Sequence, residues 1–175
     1  RFARGLQFGA AWTWSKAMDF GSNDWMSVAQ WTPWRVWNYG KADFDRTHNL
    51  QINWLWDVPK ATKVWDHPVV GAVLDNWRLA GIAAFVSGTP SGVGISTTDG
   101  ADIPGGGDGV RPVVLAKVLL PKSERTFTRF FNNAAFGRPP VGTYGNAPRD
   151  VFRRPGTNNF DISIFKDVPV KENAR

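Results

Sequence analysis

The chain of 175 residues is 42% hydrophobic, carries a net charge of +6 and contains no cysteine, which excludes a disulfide framework and a cysteine-based zinc site. No stretch approaches the ~18 consecutive apolar residues that a spanning helix requires, so a helical membrane protein is excluded as well. The basic residues are scattered, which argues against a nucleic-acid surface. The 10 Trp, 12 Phe, 18 Gly and 12 Pro residues form a composition typical of strands and turns.

The first part of the chain alternates apolar with small or polar side chains, which predicts a β-strand near residues 5–15. The same alternation returns near residues 47–58 and predicts a second strand. The apolar positions of the two runs are Leu6, Phe8, Ala10, Trp12 and Trp14, then Leu50, Ile52, Trp54 and Trp56.

Two weaker runs follow. The third, near residues 76–87, places Trp77 and Phe85 on one face but also Ile82 and Val86 on the other, which leaves its orientation open. The fourth, near residues 159–168, alternates cleanly, and a fifth strand is expected to begin after Pro169.

The connections between these strands alternate in length. Residues 16–46 and 88–158 form long loops, whereas residues 59–75 form a shorter one. Transmembrane barrels have long loops on the outer side and short turns on the periplasmic side. We therefore predict an all-β fold, an antiparallel transmembrane β-barrel segment that supplies four to five strands of a larger barrel, with long extracellular loops. A soluble β-sandwich would show the same alternation.

The barrel hypothesis assigns a role to each face. Aromatic residues favour the two membrane interfaces, and an outward first strand places Trp12 and Trp14 at the outer one and Trp54, Trp56 and Trp77 at the periplasmic one. The predicted lipid-facing residues are Leu6, Phe8, Trp12, Trp14, Leu50, Ile52, Trp54 and Trp56. The predicted lumen-facing residues are Gln7, Thr13, Asn49, Gln51, Asn53 and Asp57.

Three separated blocks resemble the barrels of TonB-dependent receptors of the Oar-like, carboxypeptidase-regulatory-like type. The block YGKADFDRTHNLQINWLWDVP (residues 39–59) is similar to a strand-entry motif that reads aromatic-Gly, then Ser-Asp-Phe-Asp-Arg-Arg-His; Ala42 and Thr47 depart from it. The block NWRLAGIAAFVSGTP (residues 76–90) resembles a Gly-Trp-x-Leu-x-Gly strand with Ser-Gly-Thr-Pro. Residues 130–170 resemble a late region with Arg-x-Pro-Gly and an Asp-x-Ser-x-Phe-Lys strand.

This resemblance implies a transporter of the Gram-negative outer membrane that takes up an unknown nutrient. Its partners would be outer-membrane lipid and the TonB complex, the latter contacted through a plug and other parts of the parent protein absent from this chain. The resemblance covers nearly the whole chain but is not specific for a substrate. Because the chain begins without Met and ends at Arg175 in a charged run, we expect an internal fragment.

The sequence gives little support for a catalytic site or a metal site. His48 and His67 lie on different elements, which argues against zinc. Asp43 and Asp45 are interpreted as a charged rim cluster with Arg46 and His48, rather than as an acid–base pair. A calcium loop would use Asp99, Asp102 and Asp108, but a mobile loop is the preferred interpretation. We expect no enzyme, no cofactor and no metal.

A group of four Trp residues in the first long loop is the best candidate for ligand contact. They are Trp25, Trp31, Trp34 and Trp37. Aromatic platforms stack sugars and other flat ligands, but the composition slightly favours packing of these rings against one another or against the outer leaflet. Two alternative functions stay open: a soluble Trp-rich β-domain that binds carbohydrate, and a passive outer-membrane pore or adhesin barrel.

Overall fold

The computed structural model describes residues 5–22, 33–95 and 111–168. These residues divide into two compact units. The sheet unit comprises the described residues of 1–14, 48–87 and 157–175, and the loop unit comprises those of 15–47 and 88–156.

The described secondary structure is mostly β. The strands are β1 (Leu6–Trp14), β2 (Met18–Asp19), β3 (Gly40–Lys41), β4 (His48–Asp57), β5 (Trp77–Val86), β6 (Pro90–Ser91), β7 (Val113–Val114), β8 (Phe136–Gly137), β9 (Phe152–Arg153) and β10 (Thr157–Lys166). Two α-helices, α1 (Trp34–Trp37) and α2 (Pro68–Leu74), and 3-10 helices at Ala61–Lys63, Lys122–Glu124 and Asn133–Ala135 complete it. No helix among the described residues is long and apolar enough to cross a membrane.

The four long strands form one antiparallel sheet in the order β1-β4-β5-β10. The predicted antiparallel β fold is thus confirmed, with the sheet open between β1 and β10 over the described residues. Strand β10 begins and ends two residues before the range predicted for it, because it pairs along all of β5, from Thr157 opposite Val86 to Lys166 opposite Trp77. The expected fifth strand lies outside the described residues.

Both long connections leave and re-enter the sheet at the same end. Trp14 pairs with His48, and Val86 pairs with both Asn49 and Thr157. The shorter connection joins β4 to β5 at the opposite end, where Asn76 adopts a φ of 61° just before β5. The alternation of long and short connections therefore corresponds to two distinct ends of one sheet.

The loop unit has its own secondary structure, which the alternation pattern did not predict. Three two-stranded antiparallel ladders form between β2 and β3, β6 and β9, and β7 and β8. Phe131 packs against Phe136 and Phe152, with ring centroids 6.0 and 5.0 Å away. Ala42, Ala135 and Ala147 are buried. The described parts of the two long connections are thus folded, compact structure.

Candidate functional site

The register gathers the apolar positions of all four strands on one face of the sheet, because directly paired residues share a face. Its rows are Leu6, Trp56, Leu79 and Ile164; Phe8, Trp54, Gly81 and Ile162; Ala10, Ile52, Ala83 and Phe160; and Trp12, Leu50, Phe85 and Asn158. All eight residues predicted to face lipid lie on this apolar face. The pairing also settles the orientation of β5, whose Trp77 and Phe85 belong to the same face.

Much of this face is uncovered within the described structure. Trp12 is 65% exposed, Phe8 56% and Ile162 67%. A soluble domain would bury such side chains in a core, since each contributes roughly 1.5–3 kcal/mol when it leaves water. A contiguous exposed apolar face of this kind marks a surface that contacts a membrane or another protein.

The height of the apolar face matches a bilayer. From Trp77 to Phe85, the first and last apolar-face residues of β5, the chain advances eight residues, about 27 Å at ~3.4 Å per residue. At the ~40° tilt of barrel strands this becomes about 21 Å along the membrane normal, of the same order as the ~25 Å apolar band of outer-membrane barrels.

A glycine in the middle of the apolar face makes room for an indole ring. A Cβ placed on Gly81 would overlap the ring of Trp54, the directly paired residue on β4. The ring of Trp54 thus occupies the space that a side chain at position 81 would fill. A glycine at this position therefore allows the large indole of its paired residue to lie over it.

We expect Gly81→Val to destabilise the sheet by about 1–3 kcal/mol, because the added side chain overpacks against Trp54. The urea midpoint of the folded protein in lipid measures the effect. In the background of Trp54→Leu the same substitution should cost clearly less, since the ring is gone. Equal losses of stability in both backgrounds would show that the backbone conformation of Gly81, and not the space it leaves for Trp54, is what requires glycine.

The opposite face of the sheet is more polar. Its rows are Gln7, Leu55, Ala80 and Ser163; Gly9, Asn53, Ile82 and Asp161; Ala11, Gln51, Ala84 and Asn159; and Thr13, Asn49, Val86 and Thr157. All six residues predicted to face the lumen lie here. Asp57 pairs with Arg78 at 2.7 Å near the shorter connection. Ile82 and Phe165 are each 50% exposed on this face, so it is mixed rather than uniformly polar.

In the loop unit, a buried carboxylate joins residues that are far apart in sequence. Asp45 is fully buried and accepts hydrogen bonds from the guanidinium of Arg153 and from the Ala17 N–H at 2.6 Å. Arg153 also donates to the carbonyl oxygen of Gly88 at 3.0 Å. A Cβ on Gly88 would overlap the Arg154 carbonyl, so the chain passes closely here.

The same contacts determine how Asp45 titrates. Burial alone would raise the pKa of Asp45, but hydrogen bonds from Arg153 and the Ala17 N–H, together with the Arg153 charge, outweigh it and hold the pKa below its ordinary value. The ionised carboxylate therefore stabilises the loop unit above about pH 4, the ordinary aspartate pKa. This contribution is lost as the pH falls through the lowered pKa.

We accordingly expect protection of the Asp45 region against hydrogen exchange to be constant from neutral pH down to about pH 4 and to fall below it. An Asp45→Asn variant should start from lower protection and lose less on acidification. Parallel pH profiles for the two proteins would show that other carboxylates govern the acid response.

A second buried charge, the Arg149 guanidinium, holds the start of the loop unit together. Its guanidinium lies 2.6 Å from the Asp19 carboxylate and 3.5 Å from that of Asp43, and it donates to Ser22 Oγ. It also donates to the carbonyl oxygen of Asn38 at 3.4 Å. Lys41 and Asp150 form an ion pair beside it at 3.2 Å.

These contacts correct the interpretation of Asp43 and Asp45 as one rim cluster with Arg46 and His48. Asp43 pairs with Arg149 and Asp45 with Arg153, because the long second connection returns across the first. His48 instead stacks on Trp12, with ring centroids 5.8 Å apart. Sequence reasoning missed the two arginines, since nothing local to them indicates a partner more than a hundred residues away.

The predicted ligand-contacting Trp residues are only partly described. Trp25 and Trp31 lie outside the described residues, and Trp34 begins α1. The ring of Trp37 has the Arg111 guanidinium 4.6 Å from its centroid and the Tyr144 ring edge-on at 5.9 Å. Trp37 is therefore already in contact with side chains of the loop unit, and its surroundings include the partly buried charge of Arg111.

The positions considered for metal binding have other partners or are not described. His67 caps α2, with Nδ1 accepting from the Val69 N–H at 3.2 Å. Asp99, Asp102 and Asp108 lie outside the described residues. Across residues 5–22, 33–95 and 111–168, no group of three or more metal-ligating side chains comes together.

An antiparallel meander with one exposed apolar face is typical of the walls of transmembrane β-barrels. The family model described as outer membrane beta barrel domain matches residues 1–175, the whole chain, and the chain belongs to this family. It is therefore a protein of the Gram-negative outer membrane. The comparisons with curated proteins and with solved structures give no match.

Proposed function

We propose that the chain forms part of the barrel wall of a TonB-dependent receptor that takes up a nutrient across the outer membrane. The apolar face contacts lipid, the more polar face lines the interior, and the long connections are extracellular. The chain has no catalytic role in this proposal. The observation that carries the membrane assignment is the continuous apolar face across four paired strands.

The receptor type is supported by how the resembling blocks meet. Asp45 belongs to the first block, Gly88 to the second and Arg153 to the third, and Arg153 donates hydrogen bonds to both of the others. Positions that resemble the receptor motifs thus form one structural cluster. This gives the motifs a physical reason: Asp45, the second aspartate of the strand-entry motif, binds Arg153, the first residue of Arg-x-Pro-Gly.

The four Trp residues of the first long loop are proposed to contribute to the extracellular mouth. Trp37 contributes there mainly by packing with Arg111 and Tyr144. A flat or sugar-like ligand would bind this region by stacking on indole rings.

The experiment that tests the proposal compares a gated receptor with a passive pore, which the family assignment alone leaves open. The whole barrel protein that contains this chain is reconstituted in liposomes, and swelling in sugar solutions is measured. A receptor closed by a plug gives no swelling and is captured by the periplasmic domain of TonB. Rapid swelling without capture by TonB would favour the passive pore.

A further inference from the structure

The shorter connection, residues 59–76, has an apolar surface of its own. Its exposed apolar side chains are Val64 at 79%, Trp65 at 64%, Val69 at 62%, Val73 at 55% and Leu74 at 44% exposure. A turn that only reverses the chain needs none of them, since turns are ordinarily built from polar residues and glycine.

This connection is a folded element. The Asp75 carboxylate accepts hydrogen bonds from the Thr62 N–H at 3.1 Å and from the Thr62 hydroxyl at 2.6 Å. A Cβ on Gly71 would lie 3.1 Å from the Thr62 methyl group, so α2 packs closely on the 3-10 helix at Ala61–Lys63. His67 caps the start of α2.

The packing fixes which side of α2 points outwards. Residues of an α-helix advance by about 100° each, which places Val69 and Val73 together on one side and Gly71 on the opposite side. Because Gly71 faces Thr62, the two valines face away from the rest of the connection. Their exposure is a consequence of this arrangement and not of a frayed end.

The helix is also tied to the apolar face of the sheet. The indole N–H of Trp77, the first apolar-face residue of β5, donates to the Val73 carbonyl oxygen at 2.8 Å. Lys166, paired with Trp77, lies with its ammonium 5.5 Å from that ring. The apolar surface of the connection is thus continuous with the end of the apolar face that carries Trp56 and Trp77.

We propose that residues 59–76 form an interfacial anchor, in which α2 lies in the periplasmic headgroup boundary of the outer membrane with Val69 and Val73 towards the acyl chains. This rests on the proposed function, in which the apolar face contacts lipid and the shorter connection is periplasmic. We infer that this surface contacts lipid because it is continuous with the apolar face of the sheet, which is proposed to contact lipid. Lys60 and Lys63 in the same segment extend their ammonium groups to lipid phosphates while their stems stay apolar.

An interfacial helix buries its apolar face about 5–10 Å into the boundary between headgroups and acyl chains, which makes depth the quantity to measure. The 175 residues contain no cysteine, so a single introduced cysteine labels one site in this part of the barrel. Nitroxide labels at Val69→Cys and Val73→Cys are compared with Ile162→Cys in the apolar face and Glu124→Cys in the loop unit. The whole barrel protein is reconstituted in phosphatidylcholine vesicles, and relaxation by oxygen and by a water-soluble nickel chelate gives the depth.

The proposal expects Val69→Cys and Val73→Cys to show high oxygen and low nickel accessibility, shifted towards Ile162→Cys and away from Glu124→Cys. If the two valine sites resemble Glu124→Cys while Ile162→Cys is in lipid, the interfacial anchor is contradicted, but the assignment of the sheet to the barrel wall is retained. In that case the apolar surface of the shorter connection would bind a periplasmic protein. If Ile162→Cys is itself in water, the proposed function fails first and the anchor fails with it.

Discussion

Arginine in place of Phe8 or Ile52 is expected to destabilise the folded barrel by about 2–4 kcal/mol, because a charge on the lipid face near the bilayer midplane loses its hydration. Phe8 and Ile52 lie on the two rows that straddle the middle of the apolar face. Folding titrations in phospholipid vesicles, with urea as denaturant, measure the loss.

Gln7 and Gln51 provide the matched controls. Each is a direct sequence neighbour of a test position and lies on the opposite face, so its depth in the membrane is nearly the same. Arginine at either glutamine should cost much less, since the polar face reaches water. Equal losses on both faces would contradict the assignment of the apolar face to lipid.

Methionine in place of Arg153 is expected to cost the loop unit about 3 kcal/mol, because it leaves the fully buried Asp45 carboxylate without its charged partner. The same substitution at the adjacent Arg154, which is exposed, should cost less than about 0.5 kcal/mol. Hydrogen exchange of the loop unit, measured separately from that of the four long strands, gives the loss of stability for both variants.

The strands β1, β4, β5 and β10 should keep their protection in the Arg153→Met variant, since the substitution lies in the loop unit. A double variant, Asp45→Asn with Arg153→Met, should recover part of the loss because no buried charge is then unpaired. Similar effects for Arg153→Met and Arg154→Met would show that the ion pair with Asp45 contributes little.

The alternation of side chains was sufficient to predict the strands and their faces. A strand's backbone fixes the face of every second residue, so the apolar series from Leu6 and from Leu50 could be assigned without knowing the partners. The series of β5 was ambiguous because Ile82 and Val86 are apolar as well. Only the pairing of Ile82 with Asn53 and Asp161 shows that it belongs to the more polar face.

The loop unit was beyond what the sequence pattern could predict. Its ladders are two residues long, too short to show any period. Its ion pair joins Asp45 to Arg153 across 108 residues. A contact between residues so far apart produces no recognisable pattern in the sequence around either of them. The resemblance to receptor motifs singled out both blocks, but it did not indicate that they touch.

The exposed apolar surface of the shorter connection was missed for a related reason. The run Pro68–Leu74 is too short for a helical period to be distinguished from a plain apolar stretch. Its outward face depends on Gly71 packing against Thr62, which is a tertiary contact.

The central claim is that alternate residues of one strand face lipid and an aqueous interior. It is tested most directly by single cysteines at each position from Asn49 to Asn53, labelled with a water-soluble maleimide in intact outer membranes. The account predicts labelling at Asn49, Gln51 and Asn53 and protection at Leu50 and Ile52. Uniform labelling of all five positions would contradict it and return the chain to the class of soluble β-domains.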